Sequence, residues 1–234
     1  MARKINLILQ GKGGTGKSLY TYLRALSQMG SSSLFVDADG FARTSSNQLI
    51  FLPEKRKTTL SIQTTGPSSD KTDLAIFIQS LNMLPFKNEA FIDFGSLESR
   101  QILELDLQNP NFARDCDALD LNLNFHIIVA GGGNYHPCEQ YLTRICSAVD
   151  PWFELTAWKN QGTFSPFPQL SDQLDLTCEK LDIPLRSFAD FEPQSYLGGR
   201  ILNGIIDGQG LETYQMGPML RLRHELEINF EAKM

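Results

Sequence analysis

The chain has 234 residues, of which 41% are hydrophobic and 21% charged, and its 21 Lys and Arg stand against 27 Asp and Glu for a net charge of −6. That length suits one α/β domain, and the composition supports a full core and excludes a disordered chain. The acidic balance excludes a surface coated throughout by nucleic acid, although a local basic patch stays compatible with it.

Ile5-Asn6-Leu7-Ile8-Leu9 reads as a buried strand that stops at glycine. Ser18 to Met29 reads as a helix, with Leu19, Tyr22, Leu23 and Leu26 at helical spacing and Gly30 closing it. Ser33 to Asp37 is the next strand. Residues 40–72 are rich in Ser, Thr, Lys and Gln and carry the basic run Lys55-Arg56-Lys57. They predict an exposed, adaptable segment with one strand near Leu60 to Thr64. A helix follows from Asp73 to Leu84, then a buried strand from Ala90 to Gly95 and a helix from Ser99 to Leu107. Phe125 to Ala130 is a further strand, Cys138 to Val149 a helix, and Phe153 to Trp158 a strand. A helix from Leu170 to Leu181, a strand from Ile183 to Phe188 and two final helices complete the chain. Such alternation predicts an α/β fold of three layers, a mostly parallel sheet with helices on both faces, in a single domain spanning 1–234.

Cys116, Cys138, Cys146 and Cys178 show neither a C-x-x-C pair nor a zinc-ligand rhythm, which fits reduced thiols in a cytoplasmic protein. His136 and Cys138, two apart after a run of three glycines, suit either a loop with a buried thiol or the seed of a metal site. No apolar stretch approaches the roughly 18 residues that span a bilayer. Met1-Ala2-Arg3-Lys4 runs into a strand rather than into the apolar region of a signal peptide.

The chemistry concentrates between the first strand and the first helix. Gly11-Lys12-Gly13-Gly14-Thr15-Gly16-Lys17-Ser18 satisfies G-x-x-x-x-G-K-[ST] at every fixed position. Glycines let successive N–H groups turn inward on phosphate oxygens, and the positive end of the following helix adds to them. In that pattern Lys17 reaches the β- and γ-phosphates of ATP, and the Ser18 hydroxyl ligates Mg²⁺. Two further acids stand at strand ends, where a parallel sheet gathers its ligand site. Asp93, after Phe91-Ile92, has the form of a Walker B acid that holds Mg²⁺ through water. Asp37 and Asp39 flank Ala38, and residues two apart in extended chain share a face, so both carboxylates are expected to point toward the metal and the attacking water.

Lys12 narrows the reading. Lys12-Gly13-Gly14-Thr15-Gly16-Lys17-Ser18 matches the deviant Walker A pattern K-G-G-x-G-K-[ST], and there the chain resembles the ParA/MinD family of ATPases. Val36-Asp37-Ala38-Asp39 is similar to the family's D-x-D segment, and Ile92-Asp93-Phe94-Gly95 occupies its Walker B place. The resemblance implies a P-loop NTPase fold and a Mg²⁺-dependent ATPase, slow without an activating partner. It implies that Lys12 reaches the nucleotide of a second subunit in an ATP-dependent homodimer, that Asp39 orients the attacking water, and that Asp37 assists the metal. It also implies an adenine contact from Asn160, which otherwise reads as a turn asparagine. Gly40-Phe41 stands where many partition ATPases have Pro-Gln, and Phe94-Gly95-Ser96 where many have a proline-rich turn. With Leu7 to Gly14, these residues resemble the small plasmid-borne relatives of conjugation and stability operons, the TraL/StbC type.

The function so implied is a dimerisation switch in plasmid maintenance, partition or conjugative transfer, with a partner protein from that system. Weak, sequence-independent DNA binding is expected through Arg200, Arg221 and Arg223. The alternatives are a membrane-site regulator of the MinD kind and a metabolic or metal-cluster carrier on the same scaffold. Met219, Leu222, Leu226 and Phe230 have helical spacing, but Glu225, Glu227 and Glu231 among them favour core packing over an anionic membrane.

Overall fold

The computed structural model describes residues 2–40, 43–61 and 74–232. Seven strands form one sheet: β1 (Arg3–Leu9), β2 (Leu34–Ala38), β3 (Lys57–Thr59), β4 (Glu89–Phe94), β5 (Leu121–Val129), β6 (Glu154–Asn160) and β7 (Leu185–Phe188). Their order is β3-β2-β4-β1-β5-β6-β7, and every neighbouring pair is parallel. The helices are α1 (Lys17–Ser27), α2 (Thr44–Gln48), α3 (Leu74–Asn82), α4 (Ser96–Leu103), α5 (Pro110–Ala118), α6 (Tyr135–Ala148), α7 (Gln161–Phe164), α8 (Pro168–Lys180), α9 (Tyr196–Ile206) and α10 (Met216–Phe230).

Strand alternation divides the apolar residues between two layers. Ile5, Leu7 and Leu9 of β1 face one side with Val36, Ile92, Phe125 and Ile127, under Phe77 of α3, Phe112 of α5, Leu142 of α6 and Leu174 of α8. Ile8, Phe35, Phe91, Ile128 and Trp158 face the other side, under Tyr20 and Leu23 of α1, Ile201 of α9 and Leu226 of α10. A strand buried on both faces can only be an almost continuous apolar run, which is how β1 and β4 read in the sequence. β1 lies centrally, and the chain leaves it toward β2 on one side and later reaches β5 on the other. The crevice at the carboxyl ends of these strands is thus a topological switch point, where ligands of such sheets bind.

Several elements differ from expectation. The strand expected near Leu60 to Thr64 lies instead at Lys57–Thr59, pairing with β2, and positions 62–64 fall outside the described residues. The basic run misled because Arg56 is buried: its guanidinium donates to the carbonyls of Gln28 at 2.9 Å, Met29 at 3.1 Å and Ser33 at 3.1 Å. Arginine there gathers carbonyls of the turn between α1 and β2. Helix α5 was not read from the sequence, although Asn109 caps it and Pro110 opens it. β5 starts at Leu121, four residues ahead of the expected Phe125, because Asn122 and Asn124 interrupt its apolar run. Helix α4 starts directly after Gly95, three residues before the expected Ser99. The start of the helix expected from Asp73, and most of the adaptable segment, lie outside the described residues.

Candidate functional site

The loop from Gln10 to Gly16 joins the end of β1 to the start of α1. Gly14 and Gly16 have φ of 71° and 101°, left-handed values that side chains resist. A Cβ on Gly16 would also meet Asn160 Nδ2 at 2.5 Å. Gln10 anchors the loop from below, its side chain donating to Ile128 O at 2.8 Å and its backbone N–H to Ser99 Oγ at 3.2 Å. From α4, Arg100 Nε donates to Gly11 O at 3.0 Å. The loop's Lys12, Gly13 and Gly14 are exposed, whereas Thr15 and Lys17 are buried. Lys17 Nζ donates to Gln10 O at 3.1 Å. Burial pulls this ammonium below the usual lysine range, while Asp93, Asp39, Cys138 and Glu98 act in the opposite direction. A cation held among acids, with the first N–H groups of α1 open, is an arrangement that receives phosphate.

Asp93 comes to the same place from β4. Its Oδ2 accepts Ser18 Oγ at 2.7 Å and also Ser45 Oγ from α2. Its Oδ1 is buried without a hydrogen-bond partner among the described residues. Burial is the main cause of a carboxyl pKa raised to about 6, against the Ser45 bond, Lys17 and the Ser18 bond, which lower it. An unpartnered buried carboxylate oxygen beside a hydroxyl, both hard oxygen donors, fits Mg²⁺.

Asp37 makes bonds that its spacing from Asp39 did not suggest. Asp37 Oδ1 accepts Asp39 N–H at 3.0 Å, and Oδ2 accepts Ser46 N–H at 2.8 Å and Ser46 Oγ at 2.7 Å. Its carboxylate therefore ties the loop to α2, and its charge also acts on the neighbouring Asp93. Asp39 lies against Gly95, where an added Cβ would stand 3.0 Å from Asp39 Cγ. Glu98 of α4 crowds the same glycine and accepts Gly40 N–H at 3.2 Å through Oε1. The sequence reading missed Glu98 and Ser45. An acid five residues after a Walker B aspartate was the available signal for the first, and nothing local marked the second.

Asn160 reaches the site from the end of β6, inside the strand rather than just beyond it, and is buried. Its Nδ2 donates to Thr15 O at 3.0 Å, so in this arrangement it braces the loop. The other candidates disperse. His136 is exposed beside Glu139 at 3.7 Å, whereas Cys138 is buried and its thiol pushed up to about 11 by burial. Arg221 pairs with Asp190 at 3.3 Å and Arg223 with Glu212 at 3.4 Å, so both supposed DNA contacts are shared with acids. Arg200 lies over the Tyr196 ring at 5.6 Å. On α10, Leu222, Leu226 and Phe230 are buried, as core packing requires. Among the described residues no helix is long and apolar enough to cross a membrane.

No protein-family model matches the chain, and no curated protein matches its sequence. Among solved structures it is similar to a protein from Borrelia burgdorferi B31 described as a plasmid partition protein bound to AMPPNP, at 11% identity over 99% of each chain with a TM-score of 0.55. A plasmid partition protein from Borrelia burgdorferi aligns at 13% identity over 88% of this chain and 97% of its own, with a TM-score of 0.48. The first likeness, together with the all-parallel seven-stranded sheet, shows that the chain has a ParA-like α/β fold.

Proposed function

We propose that this chain is a ParA-like ATPase that serves plasmid maintenance as an ATP-dependent dimerisation switch. The observation that carries the reading is the glycine loop at the switch point of the sheet, with Lys17 buried behind it and Ser18 bonded to Asp93. A neighbour of the same fold, bound to AMPPNP and described as a partition protein, supports both the nucleotide and the process. The TraL/StbC affinity rests on Leu7 to Gly14, Gly40-Phe41 and Phe94-Gly95-Ser96, and would place the switch in conjugative transfer or plasmid stability.

In this reading the backbone N–H groups of Gly13 to Ser18 receive the β- and γ-phosphates, and Lys17 leaves Gln10 O to meet them. Mg²⁺, when bound, neutralises charge on those phosphates; Ser18 would hold it directly and Asp93 through water. Ser45 and Ser46 of α2 bond Asp93 and Asp37, which ties α2 to the residues that would hold the metal. Asp39 orients water, with Asp37 fixing its backbone. Asn160 keeps Oδ1 for the adenine amine. Lys12, exposed at the rim and without an ion pair among the described residues, reaches the nucleotide of a second copy. Partner protein and weak DNA binding belong to the same proposal, with the DNA surface away from the paired Arg221 and Arg223.

Isothermal titration with ATP and Mg²⁺ tests the site. Lys17→Ala is expected to weaken binding at least tenfold, since a charge-assisted bond to phosphate is worth about 1.5–3 kcal/mol. Equal affinity in the two proteins would remove the phosphate-loop assignment.

A further inference from the structure

Glu98 stands third in α4, where a glutamate ordinarily reaches back to the N–H of its own helix cap. Here Oε1 instead accepts the N–H of Gly40, 58 residues earlier, at 3.2 Å. Its other oxygen, Oε2, is buried without a hydrogen-bond partner among the described residues, on a side chain whose residue is only 8% exposed. Oε2 and the Asp39 carboxylate lie against the same glycine, Gly95, so a Cβ there would strike the one and stand 3.0 Å from Cγ of the other. Both acids act on the Lys17 ammonium. The helix that carries Glu98 is in turn fixed to the phosphate loop by the Gln10–Ser99 bond at 3.2 Å and the Arg100–Gly11 bond at 3.0 Å.

A buried acceptor left without a donor is costly, and such a group calls for an explanation. Crowding it against a second carboxylate adds to that cost. A donor that can serve both acids, at the ends of β2 and β4 beside the phosphate loop, relieves it, and water is such a donor.

We propose that Glu98 is a second water-directing carboxylate: Oε2 and Asp39 together hold the water that attacks ATP. The inference rests on the ATP-hydrolysing reading above. In the step, the water oxygen bonds to the γ-phosphorus while the bond from that phosphorus to the β–γ bridging oxygen breaks. ADP leaves with that electron pair. One water proton passes to the carboxylate pair and then to solvent, and the other stays on the phosphate. The Oε1 bond to Gly40 keeps Asp39 within reach of the same water.

Fluorescent mant-ATP binding and single-turnover hydrolysis test this in wild type, Glu98→Gln and Glu98→Ala. The glutamine keeps an oxygen for Gly40 but loses the charge. Glu98→Gln is expected to bind within twofold of wild type yet hydrolyse about 10²-fold more slowly. Hydrogen exchange should find the Gly40 amide as protected as in wild type in Glu98→Gln and exposed in Glu98→Ala. Hydrolysis by Glu98→Gln within threefold of wild type overturns the inference, and so does a parallel loss of binding and hydrolysis, which marks a merely structural acid. If Glu98→Ala does not fold, Glu98→Gln decides alone. A wild-type protein that binds no mant-ATP or hydrolyses none refutes the ATPase reading itself, independently of any variant.

Discussion

His126 lies in β5 on the face covered by α1 and α10, with a partner on each ring nitrogen. Trp158 Nε1 donates to Nδ1 at 3.0 Å, which leaves the proton on Nε2 for Asn6 Oδ1 at 3.0 Å. That pattern needs a neutral ring. Burial pushes its pKa down to about 3, and Arg24 of α1, Lys4 of β1 and Arg186 of β7 act in the same direction. Because the folded value lies below the unfolded value of about 6.5, the folded state binds fewer protons. Stability is then complete above pH 6.5 and falls as pH drops from there toward 3. Part of the residue still reaches solvent, which reduces the effect to roughly 2 kcal/mol at pH 4. Urea unfolding from pH 7 to pH 4 should show His126→Gln losing less stability than wild type by that amount. Equal losses would mean that the ring accepts its proton without disturbing Trp158 and Asn6.

Helix α10 shows how one element combines apolar packing with a buried acid. Leu222, Leu226 and Phe230 close the layer over α1, and Glu225 is buried among them. Glu225 Oε1 accepts Ala189 N–H at 2.7 Å and Asn229 Nδ2 at 3.0 Å, and burial raises its pKa against both bonds. Ala189 follows β7 with φ of 57°, so the carboxylate holds a left-handed turn that alanine does not favour. Glu225→Ala should cost about 1–3 kcal/mol by leaving the Ala189 N–H buried and unpaired. Glu225→Gln, which keeps the acceptor and removes a charge that burial disfavours, should stay within about 1 kcal/mol of wild type. Urea midpoints at an unchanged slope check both. A Glu225→Gln variant as damaged as Glu225→Ala would show that the charge itself holds the turn.

At the scale of the molecule, the exposed Lys12, Gly13 and Gly14 put one edge of the candidate site in solvent. A cation at that rim suits the phosphates held by a second copy, while a net charge of −6 on each copy opposes association. Sedimentation with AMPPNP and Mg²⁺ should give a dimer for wild type and a monomer without nucleotide. Lys12→Ala should stay monomeric in both conditions while binding mant-ATP within about threefold of wild type, since its contact is across subunits. A Lys12→Ala dimer would assign the lysine to its own subunit's nucleotide or to solvent.

The phosphate loop, Lys17, Ser18 and the strand-end Asp93 were legible in the sequence because their chemistry is local: eight consecutive residues between a strand and a helix, and one acid closing an apolar run. The parallel sheet followed from the same periodicity. What Asp37, Ser45 and Glu98 do was not legible, because their partners lie 9, 48 and 58 residues away. The spacing of Asp37 and Asp39 suggested a shared direction, but it did not show the bonds that tie Asp37 to Ser46. Asn160 was placed near the site by strand order, but only packing set its amide on Thr15 O rather than in the open. Sequence thus picked out the glycine loop, Lys17, Ser18 and Asp93, which the fold brings to one place. The register of β2 beside β4, with Asp37 opposite Asp93, decided which of those groups face one another, because a parallel sheet brings together strand ends that are distant in the chain.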